Sequence, residues 1–169
     1  MRREALLRFA GCAMLGLVGS ISVPNASAYG GVCMSDAELR EVLIGTYTRF
    51  LGMLLGTCAR RFPNHADKSM DVARKFQKVY ATQIRANDRA TIAVFERVQP
   101  GNGEAARDRN SILALQKAQT ELEFWSEDQC RKGIKGVEGA VVVADWKLAA
   151  VAPTTLVFKQ ERERVPVCH

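Results

Sequence analysis

Residues 33–58 read CMSDAELREVLIGTYTRFLGMLLGTC, and this stretch decides the fold because it predicts a long apolar helix with a cysteine at each end. Ser35 and Glu38 have the spacing of a capping box, so the helix is expected to begin just after Ser35. Apolar residues then recur at three- and four-residue spacing over more than half of the circumference: Leu39, Val42, Leu43, Ile44, Tyr47, Phe50, Leu51, Met53, Leu54 and Leu55. Such a helix predicts burial on several sides by the rest of the chain.

A membrane span is the alternative interpretation of this helix, since Gly52 and Gly56 form a G-x-x-x-G pair. A span needs about 20 consecutive apolar residues. The apolar run is shorter, and Arg49 interrupts it, which costs about 2.5–3.5 kcal/mol near the centre of a bilayer. The sequence therefore favours a core helix, and no stable membrane span is predicted.

Residues 1–28 have the pattern of a cleaved secretory signal peptide. Three arginines lie within the first eight residues, an apolar stretch covers 9–23, and Ala26-Ser27-Ala28 is an A-x-A cleavage site. We expect cleavage after Ala28, which leaves residues 29–169 as one domain of ordinary size in the periplasm or outside the cell. Lipoprotein processing at Cys12 is a weaker alternative, because almost no apolar run precedes that cysteine.

The charge of the predicted mature chain excludes some classes of partner. Three of the 24 basic residues and one of the 18 acidic residues belong to the leader, so residues 29–169 carry 21 basic and 17 acidic residues, a net charge of +4. No basic stretch is interleaved with aromatic residues, which argues against nucleic-acid binding. The expected partner is another envelope or secreted protein.

Four cysteines remain after cleavage, and an even number in an exported chain predicts two disulfides. If residues 35–58 form one helix, its ends lie about 35 Å apart at 1.5 Å per residue, whereas the Cα atoms of a disulfide lie within about 7 Å. Cys33 therefore does not bond Cys58, and Cys130 does not bond Cys168. Metal binding is the alternative, but the spacings are wide and no C-x-x-C occurs.

The remainder of the chain predicts an all-α, up-and-down bundle of three long helices plus a C-terminal apolar segment. A second helix is expected from about Asn64 to Gln99, and a Pro-Gly-Asn-Gly turn at 100–103 separates it from a third helix that ends near Lys132. Residues 140–152 are expected to form a fourth helix that covers Leu113 and Phe124, with a strand as the alternative because of three consecutive valines. A polar tail follows.

The up-and-down order assigns the two disulfides. The first and third helices rise, so their ends bring Cys58 beside Cys130, and the descending C-terminal segment returns Cys168 to Cys33. We therefore predict a bundle clamped by Cys58–Cys130 and Cys33–Cys168.

Two groups of residues are candidates for binding. The second and third helices are longer than the first, so their shared tip is expected to project and to contact an acidic partner through four arginines: Arg89, Arg97, Arg107 and Arg109. The alternative is a solvated tip without a partner. Tyr47, Gln83 and Asn87 interrupt the apolar stripes and are candidates for holding a small ligand, with a structural polar layer as the alternative.

No catalytic, metal or cofactor site is predicted from motifs. The chain contains no G-x-S-x-G, H-E-x-x-H, EF-hand, G-x-G-x-x-G or Walker pattern. The leading hypothesis is an exported, non-catalytic protein-binding module, such as an inhibitor, an immunity-type protein or an accessory factor of the bacterial envelope. A periplasmic carrier of a small ligand or cofactor, and an enzyme of unrecognised type, are the alternatives.

Overall fold

The computed structural model describes residues 33–163 and 165–168, so the predicted signal peptide, its cleavage site and Cys12 lie outside the described residues. The described chain is all-α, as predicted, with no strand among those residues. Its helices are α1 (Asp36–Arg61), α2 (Ala66–Val79), α3 (Ala81–Val98), α4 (Gly103–Leu122), α5 (Glu127–Val143) and α6 (Ala152–Arg162). A 3-10 turn at Pro63–His65 precedes α2, and a π-helical turn at Lys147–Val151 precedes α6.

Helix α1 is the core of the bundle and contacts each of the other five helices. It begins with the predicted capping box: the Ser35 hydroxyl accepts from the Glu38 N–H, and the Glu38 carboxylate accepts from the Ser35 N–H at 2.7 Å. By length and composition alone α1 is apolar enough to cross a membrane, but 67% of its most apolar window is buried inside the bundle. The burial is consistent with the predicted core helix.

The prediction of three long helices is wrong in number, because the second and third are each divided in two. Helix α2 ends at Val79, and α3 begins at Ala81 after a break at Tyr80. Helix α4 ends at Leu122, and Ser126 begins α5 with a second capping box that uses Gln129. The Arg61 guanidinium donates to backbone carbonyls on both sides of this second break, which stabilises the interrupted backbone.

The predicted fourth helix at 140–152, and its strand alternative, are also wrong. Helix α5 continues to Val143, Ala144 then adopts a left-handed conformation with φ 54°, and the chain re-enters helix through the π-helical turn. The part expected to be a polar tail instead forms α6, with Pro153 in its first turn, where a missing N–H is tolerated. Leu113 and Phe124 are not covered, since they are 44% and 83% exposed.

Two disulfides close the bundle with the pairing that the up-and-down order predicts. Cys58 and Cys130 are joined with their Cα atoms 5.5 Å apart, and Cys33 and Cys168 with theirs 4.8 Å apart. The first bridge is fully buried, whereas the second is partly exposed. Beside the second bridge the Met34 N–H donates to the Pro166 carbonyl at 2.8 Å, so the C-terminal end is bonded to the start of α1. Two disulfides in so short a chain suggest an oxidising compartment.

Candidate interaction surface

The predicted projecting tip of α3 and α4 packs against the beginning of α1. Arg97 donates through Nε to the Glu38 carboxylate at 3.1 Å and through a terminal nitrogen to the Cys33 carbonyl at 3.1 Å. Burial by itself raises the pKa of Glu38, but the hydrogen bonds from Ser35 and the ion pair with Arg97 outweigh it and hold that pKa below its ordinary value. The expectation of a tip that projects beyond the core is therefore wrong.

Arg107 is a structural residue of this tip, because only 8% of it is exposed. Its guanidinium lies 3.0 Å from Asp108, 3.3 Å from Asp88 and 3.5 Å from Glu104. A buried arginine surrounded by carboxylates is stabilised within the chain and is not a surface cation. Arg89 and Arg109 are exposed, and Arg109 donates to Gln99 at 2.9 Å, so a partner contact for these two stays a prediction.

The structure does not bring the predicted ligand-binding residues together as a polar site. Gln83 is exposed on α3, whereas Asn87 is buried and donates through Nδ2 to the backbone carbonyl of Glu41 at 2.9 Å and to its carboxylate. Tyr47 is buried in the core beside Phe50, and burial raises the pKa of its phenol well above the ordinary value. Asn87 therefore joins α3 to α1, which is the polar layer that the sequence left open as the alternative.

The breaks at Tyr80 and Ala144 lie side by side. Tyr80 donates through its hydroxyl to the Ala140 carbonyl at 2.7 Å, and its ring centroid lies 5.4 Å from that of Trp146. Burial, and to a smaller extent the Asp145 carboxylate, raise the pKa of the Tyr80 phenol. Helices α2 and α5 thus end together, one on each side of this contact.

Four aliphatic side chains are exposed around this contact, and we call them the waist patch: Val79, Val142, Val143 and Leu148, which are 40%, 79%, 52% and 44% exposed. Lys68, in the first turn of α2, is paired with Glu138 of α5. Val142 follows Glu138 by four residues and lies on the same face of α5. Val79 and Val143 are the last residues of α2 and α5, so the patch lies where these two helices end.

The backbone around the waist patch is irregular in a way that is uncommon for helical proteins. Ala144 has a left-handed conformation, which costs a residue with a side chain roughly 1–2 kcal/mol. The π-helical turn at Lys147–Val151 is of a type that recurs at functional sites. Exposed apolar side chains beside a strained backbone identify this region as the candidate functional surface of the described chain.

The described residues contain no group of three His, Cys, Asp or Glu side chains arranged as a metal site. The chain matches no protein-family model, no curated protein and no solved structure, so the residues themselves carry the functional interpretation.

Sequence reasoning missed the waist patch. Its valines were assigned to a buried fourth helix, and Val79 was assigned to the interior of one long second helix. The Val-Val-Val run at 141–143 was the available signal, because three consecutive aliphatic residues cannot all face one side of a helix.

Proposed function

We propose that this chain is an exported, non-catalytic protein-binding module of the bacterial envelope, and that the waist patch is its contact surface. The observation that carries the proposal is the exposure of four aliphatic side chains beside the contact of Tyr80 with Ala140 and Trp146, with Val142 at 79%. Surface clusters of this kind are typical of sites that another molecule covers. Cleavage after Ala28 and release into the periplasm or the medium are part of the proposal.

The two disulfides support a role as a rigid binding module. One joins α1 to α5 in the core, and the other ties the C-terminal end to the start of α1. A surface that is already ordered loses little conformational entropy when a partner binds, so more of the contact free energy appears as affinity. The patch lies on the ends of α2 and α5 and on the π-helical turn, which the contact between Tyr80 and Trp146 joins.

The carrier hypothesis has one observation in its favour. The Tyr47 hydroxyl is buried and has no hydrogen-bond partner among the described residues. A buried polar atom without a partner costs about 1–3 kcal/mol, which a bound ligand would relieve. Gln83 is exposed, however, so the three candidate side chains do not line a common site, and the protein-binding proposal is the better supported one.

Site-specific photo-crosslinking in the exporting cells tests the proposal. The full chain would carry p-benzoylphenylalanine at position 142 in one strain and at position 112 in a second strain. Ile112 is a matched control because it is an exposed aliphatic residue, 61% accessible, on α4. We expect a discrete covalent adduct with one protein at position 142 and none at position 112.

Two outcomes would overturn the proposal. Absence of any adduct at position 142, with the exported and oxidised chain present in normal amount, would show that the patch contacts no protein. The same adducts at both positions would show that the crosslinker reports collision with abundant proteins and not a specific surface.

A further inference from the structure

We infer that the partner of the waist patch is an acidic amphipathic protein segment, one that places aliphatic side chains on the patch and carboxylates around it. The inference rests on the proposed function and names the chemistry of the partner. Two independent observations carry it: the aliphatic character of the patch, and the distribution of charge along the chain.

The apolar half of the inference follows from the exposed side chains. Val79, Val142, Val143 and Leu148 are aliphatic, so the patch presents no hydrogen-bonding side-chain atom of its own. Trp146 is half-buried nearby, and its ring contacts that of Tyr80 at an angle of 52°. A partner gains free energy here by removing aliphatic surface from water, which requires aliphatic or aromatic side chains in return.

The acidic character of the partner follows from the concentration of net positive charge near the helix breaks at Tyr80 and Ala144. Within ten residues of Tyr80 or Ala144 lie seven basic and four acidic residues, whereas the rest of 29–169 carries 14 basic and 13 acidic residues. Three of the four net positive charges of the mature chain therefore belong to the two segments centred on these breaks.

Within the described residues most of these cations have no counter-charge, whereas three of the four carboxylates do. Five of the seven form no ion pair within the described residues: Lys78, Arg85, Arg89, Lys135 and Lys147. Among the four nearby carboxylates, Glu138 is paired with Lys68, Asp71 with Lys75, and Asp88 with Arg107. The fourth accepts from a backbone N–H. Lys78 and Lys147 adjoin Val79 and Leu148 in the sequence, so the unpaired cations beside the patch favour an acidic partner.

Two other occupants fit these observations less well. A second copy of the chain would place one basic region against another, and like charges at an interface oppose association. An anionic membrane surface would meet Glu138 and Asp145 as well as the lysines, and Trp146, the aromatic residue of this region best suited to anchor at a membrane interface, is partly buried against Tyr80. A protein segment can place apolar side chains on the patch and charged side chains of the appropriate sign opposite the cations and carboxylates around it.

Two synthetic helical peptides of 18 residues would test the chemistry by isothermal titration calorimetry with the oxidised chain 29–169. Both peptides carry the same leucine and valine stripe, and the polar face is glutamate in one and lysine in the other. We expect the glutamate peptide to bind at least about tenfold more tightly at low ionic strength, and the difference to shrink as salt is added.

Variants then assign the binding to the patch. The double variant Lys78→Glu/Lys147→Glu should weaken the glutamate peptide by about tenfold, whereas Lys159→Glu, an exposed cation on α6, should leave its affinity unchanged. Val142→Ser should weaken both peptides, and Ile112→Ser on α4 should weaken neither.

Several results would overturn the inference. Equal affinity for the two peptides, binding of neither, or indifference to the charge reversal would refute the acidic partner. Tighter association with vesicles of phosphatidylethanolamine and phosphatidylglycerol, lost in Val142→Ser, would assign the patch to a membrane surface. A dimer in sedimentation equilibrium that Val142→Ser dissociates would assign it to a second copy. A specific protein adduct at position 142 in cells would then leave the proposed function standing while its chemistry is refuted.

Discussion

Gly45 and Gly52 lie on the same helix, and replacing each with alanine tests the packing of α3 on α1. A Cβ atom at Gly45 would lie 2.9 Å from the Asn87 Oδ1 atom and 3.4 Å from the Thr91 hydroxyl oxygen, whereas a Cβ atom at Gly52 would meet nothing within 4 Å. We therefore expect the two substitutions to change stability in opposite directions.

The magnitudes follow from two terms. Alanine is favoured over glycine in a helix interior by about 0.8–1.0 kcal/mol, so Gly52→Ala should stabilise the chain by about that amount. Gly45→Ala has the same favourable change in helix propensity, but its methyl group displaces the Asn87 amide from Glu41. Losing this buried hydrogen bond to a charged acceptor costs about 2–4 kcal/mol. The net expectation is a destabilisation of about 1–3 kcal/mol, and a difference of about 2–4 kcal/mol between the two variants.

Urea unfolding of the oxidised chain 29–169, followed by circular dichroism, measures both values. The control is Gly45→Ala in an Asn87→Ala background, where the added methyl group has room and should become close to neutral or stabilising. Equal stabilisation by Gly45→Ala and Gly52→Ala in the wild-type background would refute the close approach of α3 to α1.

Three further predictions concern the tip and the ends of the chain. Gly103→Ala should destabilise the chain by at least about 2 kcal/mol in thermal unfolding, because its Cβ would lie 2.8 Å from the backbone nitrogen of Glu96; a neutral effect would contradict that contact. The pKa of Glu38 is held below its ordinary 4.5, so its stabilising effect is present above about pH 4.5 and lost as the pH falls through the lowered value. Glu38→Gln should flatten that acid dependence in urea titrations. Finally, mild dithiothreitol should expose the thiols of Cys33 and Cys168 to alkylation before those of the buried bridge, and simultaneous labelling of all four would contradict the difference in burial.

Of the two capping boxes in the structure, one was identified from the sequence and the other was overlooked. Ser35 and Glu38 were identified as the start of α1, and the structure has that box. Ser126 and Gln129 form an equally readable box, but the surrounding apolar pattern continued, so the start of α5 was assigned to the interior of a longer helix. Hydrophobic periodicity predicts which residues face the core. It does not reveal a helix break when the segments on both sides of the break face the same core.

The candidate binding residues were selected from the sequence, but their partners became known only from the structure. Arg97 and Arg107 were selected because arginines cluster near a turn, yet the first bonds Glu38 and the second is enclosed by three carboxylates on α3 and α4. Asn87 was selected as a polar residue in an apolar stripe, and its partner proved to be the Glu41 backbone 46 residues away. Composition identifies an unusual residue, but only the packing of distant segments supplies its partner.

The sequence by itself determined the helical class, the start of the central helix and the cysteine pairing, because capping, periodicity and the length of a helix act within one segment or constrain its two ends. Only the tertiary structure decided where the helices break and which apolar side chains stay exposed. The break at Tyr80 is held by a hydroxyl bond to Ala140 and a ring contact with Trp146, which lie more than 50 residues away along the chain. Exposure of Val142 depends on what the remaining helices leave uncovered, and that is a property of the whole bundle.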